Sequence, residues 1–253
     1  MMAFAVNVLR TGPSGALLLV LISGCAHVPQ YQVVDWGTYP IFQAVERERD
    51  DDLRRLLDSG ENPNVIGGYY METPLHVACA KRSPSLIRLL VTNKADPNVR
   101  NNQGRTPVFD LFDKENQYQK DLDALPIALR ILRSGGMRLD VTDNSGMRPL
   151  HWFVRTWKGA VSPDEAQELC TMMGEVAGWV DVKAERNPNG DTLLHSMARE
   201  IWHNPLSAHF GRCLVGLGVD PRAVNNAGES ALELARKYHS NVLEEFLVRL
   251  EAK

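Results

Sequence analysis

The sequence predicts an all-α repeat solenoid, and three observations predict it. The stretch from Thr73 to Asn98, TPLHVACAKRSPSLIRLLVTNKADPN, reads as cap, helix, turn, helix and turn. The position held by Thr73 recurs at Tyr39, Thr106, Arg148, Thr192 and Ser230, giving successive spacings of 34, 33, 42, 44 and 38 residues. Gly104, Gly146, Gly190 and Gly228 each fall two residues before it, where a tight hairpin requires positive φ. One helical pair cannot bury its apolar face alone, so the copies must stack on one another.

Each element of the reference stretch has a local cause. Thr73 is a good N-cap, and Pro74 takes the first helical position, where its missing N–H costs nothing. Leu75, Ala78 and Cys79 recur at helical spacing; Ser85 then opens a second helix with Leu86, Ile87, Leu89 and Leu90 as its apolar stripe. Asn93 terminates that helix, and Ala95-Asp96-Pro97-Asn98 leads into an extended turn. With its T-P-L-H opening and closing A-D-x-N, this unit resembles an ankyrin repeat. The resemblance implies about six helix-turn-helix pairs joined by β-hairpin-like loops, over residues 37–253. Proline follows the reference position at Pro40, Pro74, Pro107 and Pro149, and its histidine recurs at His76, His151 and His195.

Ahead of the repeats lies a different pattern. Residues 1–24 carry one charge, Arg10, and an apolar block, ALLLVLI, too short to span a bilayer but suited to a signal-peptide core. Ile22-Ser23-Gly24-Cys25 follows at once and resembles the lipobox of bacterial lipoproteins, which implies acylation of Cys25. The other reading is an ordinary signal peptide cut at small residues. Ala26, where Asp favours inner-membrane retention in Gram-negative lipoproteins, implies the outer membrane, facing the periplasm. Residues 25–36 read as the lipidated cysteine and a polar tether. The whole chain, 44% hydrophobic and 23% charged with a net charge of −3, has no basic run that would argue for nucleic acid.

The end repeats differ from the rest. Repeat one has Phe42 in the histidine slot and a charged loop, ERERDDD; repeat six has Glu233 there and a polar outer face. Both departures suit end caps. Repeats three to five carry extra residues between their helices, around Glu115–Leu125, Lys158–Asp164 and His203–Ala208. These are either inert loops or a second contact surface.

No catalytic chemistry is legible. Histidines at a structural period are expected to bond backbone groups and tie adjacent hairpins, as the ankyrin resemblance implies. His203, His209 and Cys213 lie close in sequence, but no CxxC or HExxH completes a metal site. Cys79, Cys170 and Cys213 read as buried free thiols, with Cys213 packing beside Leu214 and Leu217. The expectation is a binding protein without cofactor, metal or small-molecule substrate.

In ankyrin stacks the partner touches hairpin tips and exposed first-helix residues on a concave face. Transferred slot by slot, these positions are Tyr69, Tyr70, Glu72, Lys81, Asn102, Gln103, Arg105, Asp113 and Lys114. They continue with Asn144, Ser145, Met147, Arg155, Asn189, Asp191, Arg199 and Glu200. Adjacent aromatics at Tyr69-Tyr70 are costly to expose without a use, unless one packs under the next hairpin. Arg155 and Arg199 are further anchors, and Trp157 and Trp202 are expected at the rim. A tethered binder without chemistry suits an inhibitor, such as an immunity protein against an envelope-attacking toxin or phospholipase effector. The alternative is an accessory or assembly factor for a periplasmic enzyme such as a catalase.

Overall fold

The computed structural model describes residues 32–113, 123–156, 162–200 and 204–252. Cys25 with the signal segment, Lys114, Trp157, Trp202 and His203 lie outside the described residues. Among those described, no helix is long and apolar enough to cross a membrane.

Among the described residues the fold is all-α apart from one short strand pair. In chain order the elements are β1 (Val33–Val34), α1 (Pro40–Glu46), α2 (Asp50–Asp58), β2 (Ile66–Gly67), α3 (Pro74–Ala80) and α4 (Pro84–Thr92). Next come α5 (Pro107–Phe112), α6 (Ala124–Ser134), α7 (Pro149–Thr156), α8 (Pro163–Ala177), α9 (Leu193–Glu200), α10 (Ser207–Gly216), α11 (Ala231–Lys237) and α12 (Asn241–Glu251). Two compact units divide them: one takes the chain to Leu111 together with Asp123–Arg138, the other Phe112–Leu122 and Leu139 onward.

In the first unit α1 packs on α3, and α2 on α4, which packs on α6. Ile41, Phe42, Leu53, Leu75, Leu86, Ile87 and Leu90 are fully buried between them. In the second, α7 packs on α9 and α9 on α11, while α8 packs on α10 and α10 on α12. Like helices thus pack on like, the arrangement that stacking of repeats requires. Each fully buried Leu, Ile or Phe contributes about 1.5–3 kcal/mol, so neighbouring repeats supply most of the stability of these short helices.

The expected tether reaches into the domain. Val33 and Val34 pair in parallel with Ile66 and Gly67, and the Trp36 ring stacks on Phe42 at 4.6 Å. Phe42, in the histidine slot, lies against both the Trp36 ring and Gly67 of the next hairpin, an apolar contact in place of a hydrogen bond. Gly68 (φ +73°) is required there, since a Cβ would meet the Trp36 ring.

The insertions are shorter than the spacings suggest. Ala124 and Leu125 open α6, Pro163 and Asp164 open α8, and Ser207 and Ala208 open α10. Ser162 and Glu165 form a capping box at α8: the Ser162 hydroxyl accepts from Glu165 N–H at 3.2 Å, and Ser162 N–H donates to the Glu165 carboxylate at 2.9 Å. Ser230 and Glu233 repeat the device at α11, so the last repeat replaces histidine with a residue that caps its own helix.

The cysteine expectation is corrected. Cys170 and Cys213 form a disulfide, with Cα atoms 5.8 Å apart, that ties α8 to α10. Cys213 therefore does not pack as a free thiol; Cys79 is free and buried, as expected.

Candidate functional site

The hairpins that carry the predicted contact residues are built by one repeated side chain. Asn101, Asp143, Asn187 and Asn225 stand five residues before the reference position. Each side-chain Oδ1 accepts two backbone N–H bonds within its own turn: Gln103 and Arg105, Ser145 and Met147, Asn189 and Asp191, Ala227 and Glu229, all at 2.8–3.0 Å. Its backbone N–H also closes the turn by donating to the carbonyl of Arg105, Met147, Asp191 or Glu229. The following glycines, with φ of 75–79°, complete the turns as the spacing predicts.

The hairpin of repeat two is the exception, with glycines at 67 and 68 where the others begin on Asn or Asp. It presents Tyr69 87% exposed and Tyr70 44% exposed, with rings edge-to-face at 5.1 Å. Neither tyrosine packs away. Their backbone is held nonetheless: Asn102 donates its N–H to the Tyr70 carbonyl at 2.9 Å and its side-chain amide to the Tyr69 carbonyl at 2.8 Å. Asn226 holds Pro188 and Asn189 in the same way. A pinned backbone with two exposed phenol rings offers contact area at low entropic cost.

In the first unit Glu72, Gln103 and Arg105 are half-buried and Asn102 is exposed; Asp113, which falls in the second unit, is half-buried. Burial pushes the Glu72 carboxyl up, with Arg105 opposing. Lys81 is not a surface contact. Its side chain is only 3% exposed, turned back to Glu46 at 3.6 Å and Glu48 at 3.9 Å on the preceding repeat.

In the second unit Asn144, Ser145 and Asn189 are exposed at hairpin tips, and Met147 is half-buried. Arg155 lies 4.7 Å over the Trp152 ring and 3.5 Å from Glu200, forming a half-exposed cluster. Asp191 is a correction, being fully buried. It accepts from Asn225 at 2.8 Å, Asn187 at 3.1 Å and Arg199 Nε at 3.1 Å. Burial alone would raise its carboxyl, but those hydrogen bonds and the Arg199 charge outweigh it and hold the group below its usual range. Arg199 is spent on the same network, donating to Tyr238 Oη at 2.9 Å with Glu229 3.8 Å away. It binds the repeats together before it binds anything else.

The slot histidines divide two to one. Thr73 N–H donates to His76 Nδ1 at 3.1 Å, so the ring proton sits on Nε2 and points to the Arg105 carbonyl at 3.2 Å. His195 repeats this with Thr192 and the Glu229 carbonyl. Both tie one repeat to the next, as expected. His151 reaches the next repeat by a different bond, because Arg148 stands where the capping threonine should be. Its Nδ1 lies 2.6 Å from Ser196 Oγ, and its Nε2 is buried without a hydrogen-bond partner.

Comparison with known proteins agrees with this geometry. Residues 56–108 match the family model described as ankyrin repeats (many copies). The chain is 30% identical over 202 residues to the B-cell lymphoma 3 protein homolog of Mus musculus, covering 79% of this chain and 41% of that protein. It is 26% identical over 151 residues to the transient receptor potential cation channel subfamily A member 1 of Homo sapiens, covering 59% and 12%. The chain thus spans less than half the length of these curated relatives. Among solved structures, an ankyrin repeat domain from Acinetobacter baumannii superposes with a TM-score of 0.65 at 17% identity, covering 84% of this chain and 98% of the other. A chain from the complex of a predatory endopeptidase of Bdellovibrio bacteriovorus with an immunity protein gives 0.62 at 20% identity, covering 84% and 98%. The fold is that of ankyrin repeats, which are protein-interaction modules.

Proposed function

We propose that this chain is an envelope-anchored, periplasm-facing inhibitor that binds a protein partner, as an immunity protein does against a toxin or secreted hydrolase such as a phospholipase effector. The observation that carries this reading is the Tyr69–Tyr70 pair, exposed on a backbone that Asn102 holds in place. Exposed aromatics on a fixed turn are the side chains on which binding energy concentrates. The shared fold with a chain from an endopeptidase–immunity protein complex supports the inhibitory reading.

The test is affinity capture from envelope extract, identification of the captured hydrolase, and its assay with and without this protein. Activity should fall on addition; a rise would indicate an accessory factor instead. Replacing both tyrosines, Tyr69→Ala with Tyr70→Ala, is expected to weaken binding by about 30-fold or more, the loss of about 2 kcal/mol that marks a hot spot. Unchanged affinity would place the contact elsewhere.

The anchor has its own test. Cys25→Ser is expected to abolish palmitate labelling and move the protein from the detergent phase to the aqueous phase, or leave it unprocessed. Several acyl chains, each buried CH₂ contributing about 0.8 kcal/mol, hold a protein on a membrane far longer than one. Wild-type protein that fractionates as soluble would remove the anchor from the proposal.

A further inference from the structure

We propose that Cys170, Cys213 and His209 are one site with two states, a disulfide when oxidised and a zinc-type metal site when reduced. The helices bring the three together. α8 supplies Cys170, and α10 supplies His209 and Cys213 four residues apart, one turn along the same face. Their sulfur and nitrogen ligand atoms all lie within 4.8 Å of one another. Sequence spacing alone shows only two of the three, because Cys170 reaches the cluster from another helix.

His209 points to something beyond a bare disulfide. Its Nε2 is buried and has no hydrogen-bond partner, whereas both ring nitrogens of His76 and of His195 are bonded. A buried polar nitrogen without a partner needs a reason. Two thiolates and an imidazole are preferred zinc ligands, with Zn–S of about 2.3 Å and Zn–N of about 2.0–2.1 Å. A tetrahedral ion of that size sets its ligand atoms roughly 3.5–4 Å apart, within reach of side-chain rotation from the observed cluster. Water completes the tetrahedron as the fourth ligand.

The conversion balances. A dithiol reductant gives two electrons and two protons to the Cys170–Cys213 bond and becomes a disulfide itself. The metal ion then displaces the two thiol protons to solvent and binds both thiolates and His209. The link between α8 and α10 survives in either state, covalent in one and metal-bridged in the other. Reoxidation by another disulfide releases the ion.

Cobalt(II) is the spectroscopic probe for the test. The full chain is reduced with dithiothreitol, desalted without oxygen and titrated. One cobalt ion per reduced chain, with tetrahedral d–d absorption and a thiolate charge-transfer band, is the expected result, and oxidised protein should show neither. His209→Gln should weaken cobalt binding by at least the roughly 10–100-fold that loss of even an outer-shell partner costs. That variant keeps the disulfide, so its folding is verified in the oxidised state. As an independent readout, zinc should protect Cys170 and Cys213 of the reduced protein from alkylation. An octahedral cobalt spectrum, absent protection, or equal affinity in His209→Gln would each overturn the proposal.

Discussion

Reducing the Cys170–Cys213 bond in the presence of a chelator is expected to lower the unfolding free energy of the second compact unit by about 3–4 kcal/mol. The bond closes a loop whose ends are 43 residues apart, and cross-links over loops of that order restrict the unfolded chain by this amount. For a body of this size the loss corresponds to a fall in melting temperature of about 10 °C. Tryptophan fluorescence is well placed to see it, since among the described residues Trp152 and Trp179 belong to the second unit and Trp36 to the first. Cys213→Ser should give the same result without reductant. Equal melting temperatures for oxidised, reduced and Cys213→Ser protein would show that packing of α8 on α10 alone holds these helices.

Why was that bond invisible in the sequence, when the repeats around it were plain? The repeat register depends on local chemistry: a cap, a proline, a glycine that must take positive φ. Thr73, Pro74 and Gly104 announce themselves in one dimension. A disulfide over 43 residues depends on which faces of α8 and α10 meet, and the extra residues of repeats four and five obscure that register. Lys81 and Asp191 fail for the same reason. Each occupies a position at which ankyrin repeats present side chains, yet Glu46 and Glu48 draw the one inward and Asn187, Asn225 and Arg199 the other. Other features are plain in one dimension. Asn101, Asp143, Asn187 and Asn225 recur at one register, as a residue that nucleates the hairpins of repeats three to six should. Arg148 in place of threonine already signalled that His151 would lack its cap.

Stability is expected to fall as pH drops from about 6.5 toward 4, and the slot histidines are the reason. Burial lowers His76 to about 4, the bond to the Arg105 carbonyl opposing only in part. Burial likewise takes His151 to about 4, helped by Arg148 and Arg186 and opposed by Asp191. The geometry at His76 explains the resistance: a proton added at Nδ1 would face the Thr73 N–H that now donates there. In the unfolded chain both imidazoles take up protons below about pH 6.5. Between those values the unfolded state binds more protons than the folded one, so the stabilisation is complete above pH 6.5 and lost on acidification. Each histidine contributes a slope of about 1.4 kcal/mol per pH unit, hence about 3 kcal/mol across the window. Glu72 and Glu185, whose carboxyls burial raises, offset part of this near the acid end, because protonation relieves them. Urea unfolding at pH 7.5, 6.5, 5.5 and 4.5 measures the slope directly. His151→Gln should be less stable at pH 7.5, since the Ser196 contact is disturbed, yet should show a shallower pH dependence. A wild-type stability that stays level from pH 7.5 to 4.5 would mean that neither imidazole is held neutral by the fold.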